Sequence, residues 1–201
     1  MKSPVVAGIL AVFLLGIFIA ANEYRSYMDS HQSIDPFNDI EREQLPEHLE
    51  GKGKLLAFHD FESGNLADTA LHLIAPGHTG KQSIRLNSRF PFSPGLWIRF
   101  SELNAGDSAW LRGSGYVWFS GNPKDVKCSL VATCNHRGTN FKYMFIPLET
   151  ENLTPQQWNK VKIDYRIPQP PYADDVLQLY FWYRGNGEVL VDDVKIEFWL
   201  N

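Results

Sequence analysis

Cysteine is scarce in this chain: 201 residues contain only Cys128 and Cys134. Two cysteines exclude a disulfide framework and a four-cysteine zinc site. Charge of one sign is scarce too. A net charge of −4 gives nucleic acid no electrostatic reason to bind. The six histidines (His31, His48, His59, His72, His78 and His136) form no H-E-x-x-H or other close zinc pair. There is no Walker loop, and no G-x-G-x-x-G opens a helix. Gly113-Ser114-Gly115 lacks the G-x-S-x-G spacing of a nucleophile elbow. No convergent set of acid, base and nucleophile stands out, which points away from an enzyme.

What is present is an ordinary globular composition, 44% apolar and 21% charged. Aromatics reach 13%, with six Trp, eight Tyr and thirteen Phe. That load suits a β-rich fold or a surface that stacks on ligands. Val5–Ala21 is an unbroken apolar run of seventeen residues. As a helix it spans roughly 25 Å, short but within reach of a bilayer core. Residues 1–22 therefore read as one N-terminal transmembrane anchor. Lys2 and the amino terminus favour a cytoplasmic N-terminus, with the remainder in the periplasm or outside the cell. A cleaved signal peptide is the alternative, but the best cut, after Ala21, puts bulky Ile19 at the −3 position.

Residues 23–53 read as an acidic tether. Between residues 22 and 53 there are eight acidic and three basic residues and little apolar periodicity. Residues 54–201 form one domain with fifteen basic and fifteen acidic residues. Its β-branched and aromatic runs lie near 54–62, 70–75, 82–87, 95–101, 110–120, 126–134, 140–148, 157–167, 176–184 and 188–199. Gly, Pro and Asn punctuate them, and no stretch keeps helical periodicity for three turns. The expected fold is an all-β, antiparallel β-sandwich. Alternation places Leu177, Leu179, Phe181 and Tyr183 on one core face. The same rule selects Val161, Ile163, Tyr165 and Ile167, and Leu190, Asp192, Val194, Ile196 and Phe198. Cys128 and Cys134 lie on one face of a single strand, roughly 20 Å apart, and read as small buried apolar residues.

Five segments in order carry a resemblance. They are Phe58-His59-Asp60-Phe61-Glu62-Ser63-Gly64, Gly80-Lys81-Gln82-Ser83-Ile84-Arg85-Leu86 and Leu103-Asn104-Ala105-Gly106-Asp107. Trp158 to Tyr165 and the closing Val189-Leu190-Val191-Asp192-Asp193-Val194-Lys195-Ile196 complete the series. This order resembles the galactose-binding-like jelly rolls, including bacterial carbohydrate-binding modules. The resemblance implies a jelly-roll fold and a structural Ca²⁺ near the chain ends. Its ligands would come from Asp60, Glu62, Lys81 and Asp192. The inward parity of Asp192 agrees, since a carboxylate facing a core needs a partner. A salt bridge or a capped turn would also satisfy it.

Sugar binding needs an aromatic platform flanked by hydrogen-bonding groups. Gln178, Tyr180, Trp182 and Arg184 have that chemistry at period two, opposite the core face. Trp118, Tyr116 and Tyr143 are candidates to join them, with Asn140 and Arg112 as polar contacts. Core or cross-strand packing is the competing role for such aromatics. Trp158 and Trp199 are assigned to packing. The leading expectation is a non-catalytic, membrane-tethered module that binds carbohydrate or a similar envelope ligand. The alternative is a structural module that meets an envelope protein partner through the same face.

Overall fold

The computed structural model describes residues 42–62, 73–74, 76–103, 109–170 and 172–200. Ten strands appear among them. They are β1 (Lys54–His59), β2 (Leu73–Ile74), β3 (Ser83–Asn87), β4 (Leu96–Arg99), β5 (Ala109–Trp118), β6 (Cys128–His136), β7 (Thr139–Pro147), β8 (Asn159–Ile167), β9 (Val176–Tyr183) and β10 (Glu188–Leu200). Each falls within, or within two residues of, a run that the sequence marks. One sheet has the order β2-β3-β10-β5-β8, with β1 also on β10; the other is β4-β9-β6-β7. Every pairing is antiparallel. This is the all-β sandwich that the strand pattern implies. Among the described residues no helix is long and apolar enough to cross a membrane. The apolar run Val5–Ala21 lies outside them.

The core lies between the sheets. Leu177, Leu179, Phe181 and Tyr183 of β9 are buried, as are Val161, Ile163, Tyr165 and Ile167 of β8. Both strands obey the expected alternation. Gly113 and Gly115 of β5 let the sheets approach. A Cβ at Gly113 would lie 2.3 Å from Leu179 Cδ1, and one at Gly115 would lie 3.0 Å from Phe181. Cys128 and Cys134 are free and buried. Burial pushes the Cys134 thiol up to about 11, so it stays protonated and unreactive.

Strand β10 departs from the alternation expected of it. Its first part pairs with β3 through Glu188–Val191, its second with β1 through Val194–Phe198. The register against β5 slips between Asp192 and Lys195. Asp193 there has φ +48°, an unusual conformation for a residue with a side chain. The bulge reverses parity. Val189 and Val191 face the core before it, Ile196 and Phe198 after it. Asp192 pairs with Tyr116 and Leu190 with Trp118, both on the outer face. The core-face reading of Leu190 and Asp192 is thereby corrected.

Residues 42–53, read as tether, pack on the outer face of the larger sheet. Leu45 and Leu49 form a buried cluster with Trp110 and Trp199. A single 3₁₀ turn, Glu47–Leu49, brings the second leucine down. Polar contacts hold this strap along its length. Leu45 N–H donates to Asp164 Oδ2 at 3.1 Å, and Glu43 accepts from Arg166 N–H and Lys142 Nζ. The Arg112 guanidinium bridges Glu50 and Asp164, with all four contacts at 2.5–2.9 Å. Arg112, a candidate ligand contact, is therefore committed to the strap.

Leu49→Ala is expected to cost about 2–5 kcal/mol in denaturant unfolding, with a red shift of tryptophan emission as Trp110 and Trp199 meet water. Acid tests the polar half of the strap. Burial pushes the Asp164 carboxyl up, but the Arg112 hydrogen bonds and the Leu45 amide outweigh it and hold it below the ordinary 3.8. A carboxyl depressed on folding adds stability above about pH 4, which is lost as pH falls through its folded pKa. Stability should therefore drop below about pH 4. Asp164→Asn should flatten that drop while lowering stability at pH 7.

Candidate functional site

The outer face of the smaller sheet carries the aromatic side chains. On β9 they alternate with the core residues as Gln178, Tyr180 and Trp182. Register sets their neighbours. Trp97 of β4 lies opposite Gln178, which lies opposite Thr133 of β6, which lies opposite Tyr143 of β7. One step along, Tyr180, Val131 and Phe145 form the next row. Phe92 bridges to Trp182, stacks on it at 6.3 Å and meets Tyr180 edge-on at 5.7 Å. Val131 and Thr133 are buried although they face outward, so the aromatic side chains roof the middle of the sheet.

Beside this roof lies an open groove of about 370 Å³, lined by Phe92, Trp97, Gln178 and Tyr180 among others. Trp97 is 60% exposed and Phe92 55%. Within the groove's lining, Gly95 lies close against the β9 backbone. A Cβ on Gly95 would fall 1.9 Å from the Leu179 carbonyl oxygen, so only glycine lets the chain lie against β9 there. Burial raises the Tyr180 phenol and pushes that of Tyr143 up to about 12. Both remain neutral hydroxyls, able to donate and accept at any physiological pH. Arg184 lies over the Trp182 ring at 4.8 Å and donates to Ser129 Oγ at 2.8 Å.

Gln178, Tyr180, Trp182 and Tyr143 thus share one face, with Arg184 at its end. Trp118 does not. It belongs to β5 in the other sheet, opposite Leu190, and is corrected out of the set. Tyr116 is on that sheet too, stacked on His78 at 3.5 Å. Asn140 sits at the turn end of β7, bonded to Asn135. Trp199 is buried under the strap, as a packing residue should be. Sequence reasoning missed Trp97 and Phe92. β4 is four residues long, too short for alternation to declare a face, and Phe92 lies outside any strand. The available signal was Pro91-Phe92-Ser93-Pro94-Gly95-Leu96-Trp97, two aromatics flanking a turn.

One carboxylate–histidine group lies elsewhere. His136, Asp174 and Asp175 place their ligand atoms within 4.8 Å of one another. Asp175 is buried, and its oxygens accept from His136 Nδ1 and the Tyr172 amide. These bonds tie the turn before β9 to the end of β6, a structural task.

No protein-family model matches the chain, nor does any curated protein. Solved structures do. A tandem of two family 22 carbohydrate-binding modules from Paenibacillus barcinonensis Xyn10C is 18% identical, with a TM-score of 0.50 over 79% of this chain and 53% of that one. This chain thus spans about half of the tandem's length. The first of those modules alone, a xylan-binding domain, is 20% identical at a TM-score of 0.47, over 74% and 97% of the two chains. A family 22 module of Clostridium thermocellum Xyn10B is 14% identical at 0.43, over 71% and 91%. At such identities a likeness speaks for fold alone, and of the three only the tandem reaches 0.50. The fold is that of the jelly-roll carbohydrate-binding modules, as the order of sequence segments implies.

Of the four residues that the resemblance implies as calcium ligands, Asp60, Glu62 and Lys81 are linked through backbone amides, and Asp192 binds a separate loop. Asp192 Oδ2 accepts from the His78 and Thr79 amides, at 2.6 and 3.3 Å, and Oδ1 accepts from Asp193 N–H at 2.7 Å. Burial raises its carboxyl above the ordinary value. Glu62 Oε1 accepts the Lys81 and Gln82 amides, both at 2.6 Å. Asp60 Oδ1 accepts Glu62 N–H at 3.2 Å. Each of these carboxylates thus accepts backbone N–H groups; a calcium ion there would take their oxygens as ligands. Asp60, Glu62 and Asp192 do not gather within coordination reach of one another. Melting in calcium and in chelator tests the implied site: calcium saturating it would raise the melting temperature by roughly 5–10 °C, and an unchanged value would exclude it.

Proposed function

We propose that the domain is a non-catalytic glycan-binding module whose ligand lies along the outer face of β4 and β9. The observation that carries this reading is the exposure of Trp97 and Phe92 beside an open groove. Large aromatics standing in water gain most from an apolar partner. A sugar ring offers an apolar C–H face to stack on them. Its hydroxyls need donors and acceptors, which Gln178, Tyr180 and Tyr143 supply as neutral groups. The fold of carbohydrate-binding modules supports the same reading by analogy. The apolar run Val5–Ala21 would hold the module to a membrane, N-terminus inward and domain outside the cytoplasm.

The full-length protein should bind one or more members of a broad glycan panel. Trp97→Ala and Trp182→Ala should each weaken that binding by at least about 10-fold, as loss of a central aromatic anchor does. Melting temperature should change little for Trp97→Ala, because the side chain is mostly exposed. A folded protein that binds no glycan in the panel would overturn the reading.

A further inference from the structure

The charges on the aromatic face are of one sign. Register assigns Trp97, Arg99, Val176, Gln178, Tyr180 and Trp182 to its β4–β9 half, with Ser129, Val131, Thr133, Asn135, Tyr143 and Phe145 on β6 and β7. None of these is acidic, although the domain as a whole balances acids and bases. The bases stand at the two ends of a stripe. Arg99 is opposite Val176, and Arg184 follows β9 eight residues later. At about 3.4 Å per residue the two ends lie roughly 27 Å apart. Trp97, Tyr180, Phe92 and Trp182 fill the interval.

Among the described residues Arg99 has no carboxylate partner for its guanidinium, and Arg184 has one long pair, to Glu149. Arg99 is exposed, and its guanidinium makes no ion pair among the described residues. The nearby Glu102 carboxylate faces the Arg99 backbone amide, at 3.4 Å. Arg184 lies over the Trp182 ring at 4.8 Å, and its Nη2 is 3.9 Å from Glu149 Oε1. That Nη2 is engaged by Ser129 and Glu149, and stacking on the indole leaves the rest of the guanidinium edge for a planar acceptor. Carboxylates match that fork best.

The geometry points to a carboxylate-bearing polysaccharide as the ligand: a uronic-acid chain stacked along the stripe, with acid groups on Arg99 and Arg184. The inference rests on glycan binding at this face and names the class of glycan.

The test compares polygalacturonate with the same polymer after carboxyl reduction, using full-length protein at low and moderate salt. The acid polymer should bind at least about 10-fold tighter, with the gap narrowing as salt rises. Arg99→Gln and Arg184→Gln should each remove several-fold of that gap, read as the ratio of the two affinities within each variant. Arg99→Lys should restore part of it. Trp97→Ala should lose both polymers. Equal affinities, or preference for the reduced polymer, would overturn the inference while leaving glycan binding intact. So would acid binding that survives Trp97→Ala, which would be charge attraction without the stripe. A folded protein that binds neither polymer overturns the inference, and the glycan panel then separately decides whether the face binds glycan at all.

Discussion

The sandwich depends on the bulge at Asp192-Asp193. β10 is the one strand that joins β1, β3 and β5, and β1 and β3 share the same edge of it. Without the bulge the two halves of β10 could not both present apolar side chains inward. A left-handed non-glycine residue costs on the order of 1–2 kcal/mol. The cost is offset locally. Asp193 accepts from His78 Nδ1 at 2.6 Å and from Thr79 Oγ1 at 2.8 Å, while Asp192 takes the two backbone amides of the same loop. His78 in turn stacks on Tyr116. Two adjacent acids thus act as one clamp on the loop that covers the bulge. Donors of that loop meet the charge of both acids.

The second constraint is cover for the other end of that outer face. Trp110 and Trp199 lie opposite each other on β5 and β10. Two indoles facing water on a central strand pair would be a large apolar patch. The strap closes it with two leucines, and its acids find partners on the sheet below. The Arg112–Asp164 pair is buried enough to be costly alone. Glu50 and the Leu45 amide complete the hydrogen bonds that make it tolerable.

Strand existence was fully legible in the sequence, because β-branched and aromatic runs between Gly and Pro breaks leave little choice. Strand faces were legible only where polar residues alternate, as in β8 and β9. In β10 the run Val189-Leu190-Val191 is apolar on both parities, so no pattern marks the slip that follows. The strap was illegible for a different reason. Leu45 and Leu49 are isolated among acids and prolines, and only the partner face shows that they have somewhere to go. At the site, alternation found Tyr180, Trp182 and Gln178. It also suggested Trp118, because a strand pattern tells which residues share a face but not which sheet a strand joins. Trp97 became visible only when register placed it opposite Gln178.

The two outer faces therefore differ in kind. On the larger sheet, Trp110 and Trp199 lie under the strap and Tyr116 stacks on His78, while Phe58 of β1 is half exposed. On the smaller sheet, the aromatic layer covers Val131 and Thr133 but is itself left open at Trp97, Phe92 and Tyr143. The strap covers part of one face with leucines and acids, and the other face is left open with arginines at its ends. The core residue Leu179 lines the groove and packs its side chain against Gly113, and Phe181 packs against Gly115. Substitutions at Trp97 or Arg99 touch none of the contacts that hold the strap, and those at Leu49 touch none that shape the groove. Loss of binding and loss of folding can therefore be read independently in this protein.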